Sequence, residues 1–442
     1  MDGYYAWMIV ATALVLMMTT PALALFYGGM SRSKSVLNMM MMSYVAMAVV
    51  GIVYVLWGWS MSFGSEDELG GLFANPFELF GLDGVGWTSY IAVMFQMTFA
   101  VITAALISGA IADRVKLSSW IVFLPLWITF SYFPIAHMVW STGVGFISKH
   151  FAAQDYAGGT VVHINAGVAG LVLALIIGKR VGFGKEPMRP HNLTLTMIGA
   201  GLLWFGWYGF NVGSLVFVAG DGGEADTAQF MSETGVTFLN TTIATMAAML
   251  GWLLVERILH GKATSLGAAS GIVAGLVAIT PSCGAVELPG AIAIGAIAGA
   301  LCAWAVGLKY KLGLDDSLDV VGVHLVGGIV GTVLIGVFSS ADAPGGIDGL
   351  FYGGGFGSLG DQAAAAGFAI LWSGVVTALI GFAIKYTIGW RISAEDEVEG
   401  IDFAEHGESA YDFGRDLGSF ASSGTATTSS VLKKTVTEGA NA

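Results

Sequence analysis

Long apolar segments alternate with short polar ones along most of this 442-residue chain. An α-helix needs about 20 apolar residues to cross the hydrocarbon core of a bilayer, and most of these segments reach that length. Eleven spans are predicted, at about 5–27, 36–62, 90–111, 118–146, 159–178, 193–217, 232–255, 265–283, 287–307, 319–338 and 364–389. The pattern indicates an all-α polytopic membrane protein that lies in a lipid bilayer.

The composition supports this fold class. Hydrophobic residues make up 55% of the chain, charged residues 11%, and the mean hydropathy is +0.75. A soluble domain has about 25% charged residues, so a soluble enzyme is a remote alternative. The net charge of −13 argues against a nucleic-acid partner. Cys283 and Cys302 lie in or beside apolar spans, so we expect neither a disulfide framework nor a metal cluster, and nothing in the sequence calls for a cofactor.

The basic residues set the expected orientation. Seventeen of the eighteen lysines and arginines fall on one predicted side of the membrane or in the C-terminal tail, and Lys149 alone falls on the other side. Cytoplasmic loops carry the excess of Lys and Arg. The sequence therefore predicts an external N-terminus and a cytoplasmic C-terminus.

Two histidines lie in near-copies of one apolar segment. The first copy runs from Val162 to Gly170 and contains His163, and the second runs from Val323 to Gly331 and contains His324. A histidine inside a membrane span is costly unless it has a partner or a cavity. Each could simply bond a neighbouring helix, but their duplication favours a single site to which each half of the chain contributes one histidine.

The spacing of these copies also indicates internal symmetry. The first copy falls on the fifth span and the second on the tenth, so each half contributes five helices, and an odd number of helices inverts the second half. The glycines four and seven residues after each histidine share its helical stripe: Gly167, Gly170, Gly328 and Gly331. We expect both histidines to face a tight seam between the fifth and tenth helices, with an eleventh helix outside the repeats.

Several longer motifs carry a family resemblance. They are Leu25–Gly29, His137–Trp140, Asp155–Asn165, Trp207–Ser214, Asp315–His324 and, in the tail, Glu399–Tyr411. With these motifs the chain resembles the Amt/Mep/Rh ammonium transporter family, in its bacterial Amt branch, from about Pro21 to Phe413. The resemblance implies an eleven-helix protomer with inverted halves, a homotrimer with one pore per protomer, and a prokaryotic plasma membrane location.

The resemblance also implies the roles of the aromatic residues. It places ammonium recruitment from outside at Trp140, Ser214 and Phe99, because a tryptophan face attracts cations and a hydroxyl accepts a hydrogen bond. Phe99 and Phe210 would close the pore, and Trp207, three residues before Phe210, would line it. Methylammonium would serve as a substrate analogue.

The resemblance implies that the two histidines line the narrow pore. His163 and His324 would be hydrogen-bonded to each other, and they could relay a proton while ammonia passes. From their positions, Asp155 is expected to cap the start of the fifth span, and Asp319 is expected to be its counterpart before His324, in structural and electrostatic rather than substrate-binding roles. Asp315 and Asp316 are read as capping or solvated residues.

The chain divides into three predicted regions. Residues 1–390 form the predicted transmembrane domain, 391–414 a cytoplasmic regulatory tail, and 415–442 a disordered tail rich in Ser, Thr, Ala and Gly. The apolar Ile401, Phe403 and Tyr411 predict that the regulatory tail docks on the basic cytoplasmic loops, at 179–189, 257–262 and 309–311. By resemblance, it would meet a PII-type regulatory protein.

Two functional alternatives share this fold. One is an ammonium sensor, and the other is an Rh-like channel for neutral gas. Trp140 and the bacterial-type tail favour the transporter over the gas channel, and neither histidine has the nucleophile or metal set that an enzyme would need.

Overall fold

The computed structural model describes residues 2–65, 67–186, 188–215 and 227–411, and within them the chain is a bundle of long helices. We label these helices α1 (Gly3–Met30), α2 (Val36–Phe63), α3 (Trp87–Ile111), α4 (Leu117–Trp140), α5 (Gly159–Ile177), α6 (Leu193–Val212), α7 (Thr227–His260), α8 (Ser265–Ile279), α9 (Leu288–Leu312), α10 (Val321–Phe338) and α11 (Gly357–Thr387). The apolar segments thus form the helices that the sequence predicts.

Ten of these helices are long and apolar enough to cross a membrane, and α8 is the exception. It has 15 residues, against a predicted span of 265–283. At a rise of 1.5 Å per residue it extends about 22 Å, less than the roughly 30 Å of a hydrocarbon core. Ile279 and Thr280 at its end are fully buried, so α8 stops inside the bundle rather than at its surface.

Other boundaries differ by several residues. The fourth span was predicted to reach residue 146, but α4 ends at Trp140, and Gly143 in the following turn has a φ of +76° that a continuing helix does not allow. A separate short helix, Phe146–His150, follows. In contrast, α7 runs for 34 residues and exceeds the predicted 232–255 at both ends. Amphipathic ends of helices are poorly defined by hydropathy alone.

The fifth and tenth helices begin in the same way, although π-helical turns also occur within α1, α2 and α4. Each begins with a π-helical turn, Gly159–Ile164 in α5 and Val321–Leu325 in α10, before continuing as a regular α-helix. His163 and His324 lie in these two turns. Isolated π-helical turns are rare and often mark functional positions. The sequence repeat is therefore also a structural repeat.

The predicted seam between α5 and α10 is present. A Cβ atom built on Gly167 would lie 2.5 Å from the backbone nitrogen of Leu325, and one built on Gly328 would lie 3.1 Å from the Cβ atom of His163. Each glycine thus packs against the histidine-bearing turn of the other helix. Because a side chain at either position would push the helices apart, these glycines set the distance between the two histidines.

The described strands are short. β1 (Asp67–Glu68) pairs antiparallel with β2 (Phe73–Ala74) in the connection between α2 and α3. This two-stranded hairpin does not change the all-helical class.

The C-terminal segment packs on the bundle through two short helices, α12 (Ala394–Glu399) and α13 (Ile401–His406). The Asp402 carboxylate accepts hydrogen bonds from the backbone N–H groups of Leu37 and Asn38 at the start of α2, at 3.0 and 2.8 Å. Glu405 accepts one from Leu117 N–H at the start of α4, at 3.0 Å. Acidic tail residues therefore cap two membrane-spanning helices.

The partners of this tail differ in part from those predicted. Glu397 accepts a hydrogen bond from Val181 N–H in the predicted 179–189 loop, and Ile401 is buried as expected. Phe403, however, is 57% exposed, so it adds less buried apolar surface to the docked tail than Ile401 does. The main acceptor contacts are with helix starts, because backbone N–H groups there have no partner within the helix. The predicted disordered tail, 415–442, lies outside the described residues.

Candidate functional site

A continuous line of aromatic rings runs through the bundle from Trp140 to His324. The Trp140 and Phe99 rings are nearly perpendicular with centroids 5.9 Å apart, and Phe99 stacks on Phe210 at 4.0 Å and an interplanar angle of 15°. Phe210 lies 6.3 Å from His163, and His163 lies 5.4 Å from His324. The structure therefore brings together five of the predicted site residues in the expected order.

A cavity of about 500 Å³ opens beside Trp140 and is lined by Ser214, Asp155 and Gln96 among others. We call it the Trp140 vestibule. The Trp140 indole N–H donates to the backbone carbonyl of Asp155 at 2.9 Å, which fixes the ring against the cavity. The Ser214 hydroxyl donates to the Phe210 carbonyl at 2.8 Å, so its lone pairs remain acceptors for a donor in the vestibule.

Beyond the two phenylalanines the space is almost closed. A cavity of only about 10 Å³ remains there, lined by both histidines, Trp207, Phe210 and aliphatic side chains. A cavity needs roughly 10–15 Å³ to hold one water molecule. This small cavity excludes a hydrated ion and leaves room for a molecule no larger than water.

The two histidines contact each other directly. Their Nδ1 atoms are 3.3 Å apart and both side chains are buried. One Nδ1 must donate and the other accept, so in the neutral pair one Nε2 carries a proton and the other is bare. The pair therefore offers one donor and one acceptor atom besides their shared contact.

Asp155 is the N-terminal cap of α5. Its two carboxylate oxygens accept hydrogen bonds from the backbone N–H groups of Gly158, Gly159, Thr160 and Val161, at 2.6 to 3.1 Å. Burial raises the pKa of the Asp155 carboxyl, and the four N–H donors oppose that rise. These bonds occupy both oxygens, which suits the capping role expected from the sequence.

The counterpart of Asp155 is Asp316, and the prediction of Asp319 for this role was wrong. Asp316 precedes His324 by eight residues, as Asp155 precedes His163, and it accepts hydrogen bonds from Val320 and Val321 N–H at 3.0 and 2.8 Å. Burial raises the pKa of Asp316 to about 6, although the charge of Lys309 lowers it. The equal spacing was the signal in the sequence that would have identified Asp316.

Asp319 has a different structural role. Its carboxylate forms an ion pair with Lys309 at 2.6 Å, and its backbone has a φ of +64°. The neighbouring Asp315 pairs with Arg180 at 3.1 Å, with both side chains buried. Asp319 thus remains structural and electrostatic, as expected, but it ties the start of α10 to the end of α9 instead of capping it.

Trp207 lies where the sequence places it, beside the histidines. Its ring is nearly parallel to that of His163, with centroids 5.5 Å apart and an angle of 19°. Its indole N–H donates to the Thr280 hydroxyl at 2.7 Å. Sequence reasoning did not find Thr280, since one threonine after an apolar segment gives no signal of its partner.

The Trp140 vestibule also holds polar residues that the sequence did not single out. The Tyr156 hydroxyl donates to the Glu233 carboxylate at 2.7 Å, and both residues line the cavity. Burial raises the pKa of the Tyr156 phenol well above its usual value. Among the described residues, no group of three or more His, Cys, Asp or Glu side chains is placed to hold a metal ion.

Comparisons with known proteins identify the family of the chain. The family model described as "Ammonium Transporter Family" matches residues 6–411. An ammonium transporter of Mycobacterium tuberculosis is 53% identical over 447 residues, covering 93% of this chain and 90% of the relative. An ammonium transporter of Aquifex aeolicus is 47% identical over 417 residues, covering 92% and 93%.

Solved structures share the fold. The crystal structure of Saccharomyces cerevisiae Mep2 superposes with a TM-score of 0.82 at 34% identity, covering 93% of this chain and 92% of that one. A sensor Amt protein superposes with a TM-score of 0.81 at 28% identity, covering 91% and 98%. The family model spans most of the chain, and the two bacterial relatives described above are 47% and 53% identical to it. The chain therefore belongs to the ammonium transporter family.

Proposed function

We propose that this protein recruits ammonium in the Trp140 vestibule, removes one proton from it, and conducts ammonia past Phe99 and Phe210 to the histidine pair. The observation that carries the proposal is the line of rings from Trp140 to His324, which leads from a roomy cavity of about 500 Å³ into one of about 10 Å³. Such a change of width suits a substrate that enters as a cation and continues as a small neutral molecule.

Capture would use the chemistry of the cation. Ammonium has four N–H donors, and the vestibule offers the Trp140 ring and the Ser214 hydroxyl. A cation over a tryptophan face gains about 2 kcal/mol when it is desolvated. Because backbone N–H groups occupy the Asp155 oxygens, we assign that carboxylate an electrostatic effect on the vestibule rather than direct contact with ammonium.

The phenylalanine pair would act as the gate. Its rings are in contact at 4.0 Å, so passage requires a movement of at least one ring. An ion in this apolar constriction would lose its hydration without gaining acceptors. Ammonia loses less because it carries no charge, and potassium is excluded because it has no proton to give up.

The histidines would separate the proton from the ammonia. A proton that binds the bare Nε2 of one ring allows the shared Nδ1 proton to shift and the other ring to release its Nε2 proton. The transfer leaves the two rings with exchanged tautomers, so each ring must change its tautomer before a second proton can pass in the same direction. The rings thereby offer a proton route beside an apolar path for ammonia.

The membrane arrangement is part of the proposal. We infer eleven spans with the short α8 counted among them, inverted repeats of five helices, an external N-terminus and a cytoplasmic C-terminus. The start of α5 lies at the Trp140 vestibule, where α4 ends, and the start of α10 lies near Gly109 at the end of α3, where α4 is about to begin. The two helices therefore start at opposite ends of α4, which supports the inversion. The homotrimer, the prokaryotic plasma membrane and a PII-type partner rest on the family resemblance.

The transporter is favoured over a sensor or an Rh-like gas channel. The bacterial relatives named as ammonium transporters are 47% and 53% identical, against 28% for the sensor structure. The Trp140 ring at the mouth of the line suits a cation, which a channel for neutral gas does not need.

Uptake of labelled methylammonium tests the proposal. Cells that express this chain should accumulate the label, saturably and without competition from a tenfold excess of potassium. Cells that express the empty vector provide the control. Uptake no greater than that control, or uptake abolished by potassium, would contradict the proposed function.

A further inference from the structure

The position of Trp207 is set by a hydrogen-bond network whose other members, Thr280, Asn211 and Thr241, do not line the small cavity. The Thr280 hydroxyl accepts the indole N–H at 2.7 Å and is itself within 2.7 Å of the Leu276 carbonyl and 3.2 Å of Asn211 Oδ1. A hydroxyl has one hydrogen, which it donates toward these two acceptors, so its lone pair is free for Trp207.

The network continues into α7. Asn211 Nδ2 donates to the Thr241 hydroxyl at 3.0 Å, and Thr241 in turn donates to the Thr237 carbonyl at 2.7 Å. Thr280, Asn211 and Thr241 are all fully buried. Each polar group has a partner, so the network holds one arrangement of Thr280 rather than several.

Thr280 occupies this place because α8 ends inside the bundle. It is the first residue after α8, and the next residue, Pro281, packs against the start of α5: a Cβ atom on Gly159 would lie 2.5 Å from the Pro281 Cβ atom. Irregular backbone at membrane depth is tolerated where it is buried in protein. One turn of chain therefore touches both Trp207 and the helix that carries His163.

We propose that Thr280 is a positioning residue for the pore: it holds the Trp207 indole parallel to His163 and so keeps the indole N–H out of the conduction path. The inference rests on the proposed function. Trp207 and His163 both line the small cavity, whereas Thr280 does not, and Thr280 acts on the pore only through Trp207.

Replacing Thr280 with valine removes the acceptor at almost constant volume. The buried indole N–H then lacks a partner, and the ring turns toward the polar atoms of the pore. We expect Thr280→Val to lower the maximal rate of methylammonium uptake about two- to tenfold, the factor that corresponds to one net hydrogen bond. The KM should remain unchanged, because neither the Trp140 indole nor the Ser214 hydroxyl is hydrogen-bonded to a side chain of this network.

Two variants control for packing. Thr245 is also fully buried and its hydroxyl donates to the Thr241 carbonyl of its own helix at 2.7 Å, so Thr245→Val makes the same chemical change away from the pore. Its rate should stay at the wild-type value. Thr280→Ser keeps the hydroxyl and should restore the rate that Thr280→Val loses.

A double-mutant comparison identifies Trp207 as the intermediary. Trp207→Phe retains an aromatic ring without the N–H donor, and by itself it should lower the maximal rate. Adding Thr280→Val to Trp207→Phe should then have no further effect, because the interaction that valine removes is already absent. If Thr280→Val does not reach the membrane, Trp207→Phe still tests the proposal, since a wild-type maximal rate of methylammonium uptake in that variant would overturn it.

The outcomes separate this inference from the proposed function. If the wild-type protein takes up no methylammonium, the proposed function fails and the role of Thr280 falls with it. If the wild type transports but Thr280→Val has the wild-type rate, or if Thr280→Val and Thr245→Val lose rate equally, only the positioning role is refuted.

Discussion

Replacing either pore histidine by alanine should keep the protein in the membrane but change what passes through it. In the wild type the two Nδ1 atoms are 3.3 Å apart and the cavity beside them measures about 10 Å³, close to the smallest space that holds one water molecule. His163→Ala or His324→Ala removes a five-membered ring from this wall. Since one water occupies about 30 Å³ in the liquid, the enlarged cavity should hold several water molecules.

Two effects set the loss of stability in these variants. Loss of buried packing typically destabilises a protein by about 2–5 kcal/mol, and the remaining histidine loses its Nδ1 partner, which costs about 1–3 kcal/mol unless a water replaces it. Water in the enlarged cavity will supply that partner. A hydrated path then lets potassium keep part of its solvation, so potassium permeability should rise from undetectable to measurable while ammonium is still transported.

The assay measures potassium and ammonium flux in proteoliposomes of both single variants. His150→Ala provides the control, because this exposed histidine lines neither the Trp140 vestibule nor the small cavity. Potassium flux should rise only in the two pore variants. Normal ammonium transport together with full exclusion of potassium in both would show that the pair is merely structural, and the argument for a proton relay would be lost.

Three further predictions follow from the contacts of the site. Trp140→Leu should weaken the apparent affinity for methylammonium by tenfold or less, since one cation–π contact contributes about 0.5–2 kcal/mol, and an unchanged concentration dependence would contradict it. Asp155→Asn should lower the thermal stability of the detergent-purified protein more than Asp316→Asn does. Asparagine keeps one acceptor oxygen, so the change leaves about two backbone N–H groups without a partner at position 155 and about one at position 316, at about 1–3 kcal/mol each. Equal losses in melting temperature would refute this. Deleting 393–442 should reduce transport or abolish binding of a PII-type protein while the protein stays in the membrane, whereas deleting 415–442 should do neither; unaltered uptake and binding after the long deletion would leave the tail without a regulatory role.

The sequence predicts the parts of this protein that repeat or that contrast with their surroundings. Apolar segments stand out against polar loops, and they locate ten long helices to within several residues. His163 and His324 stand out because a histidine in an apolar segment is rare and both copies share their neighbours. The glycines after each histidine occur at the same positions in both copies, and they predict the close seam of α5 and α10.

Features that depend on a distant partner could not be predicted. The end of α8 at Ile279 is not visible in hydropathy, because the residues that follow are also uncharged and become buried in the bundle. The bond from Trp207 to Thr280 joins residues 73 positions apart, and no local pattern connects them. Phe403 is apolar and yet exposed, since the tail is held mainly by its carboxylates on helix starts.

The two caps show how a symmetric fold can serve a process with a direction. Asp155 and Asp316 lie at equivalent positions, eight residues before their histidines, and both accept backbone N–H groups at the start of a helix. Their surroundings differ: the described hydrogen bonds to the Asp155 carboxylate all come from backbone N–H groups, whereas Asp316 lies in the field of Lys309. The negative charge of Asp155 therefore favours a cation in the adjacent vestibule, while a lysine offsets the charge of Asp316. In the cycle that we propose, a cation is therefore attracted more strongly at the end where ammonium enters than at the end where ammonia leaves. We infer that the charges around the repeat, rather than the repeat itself, distinguish entry from exit.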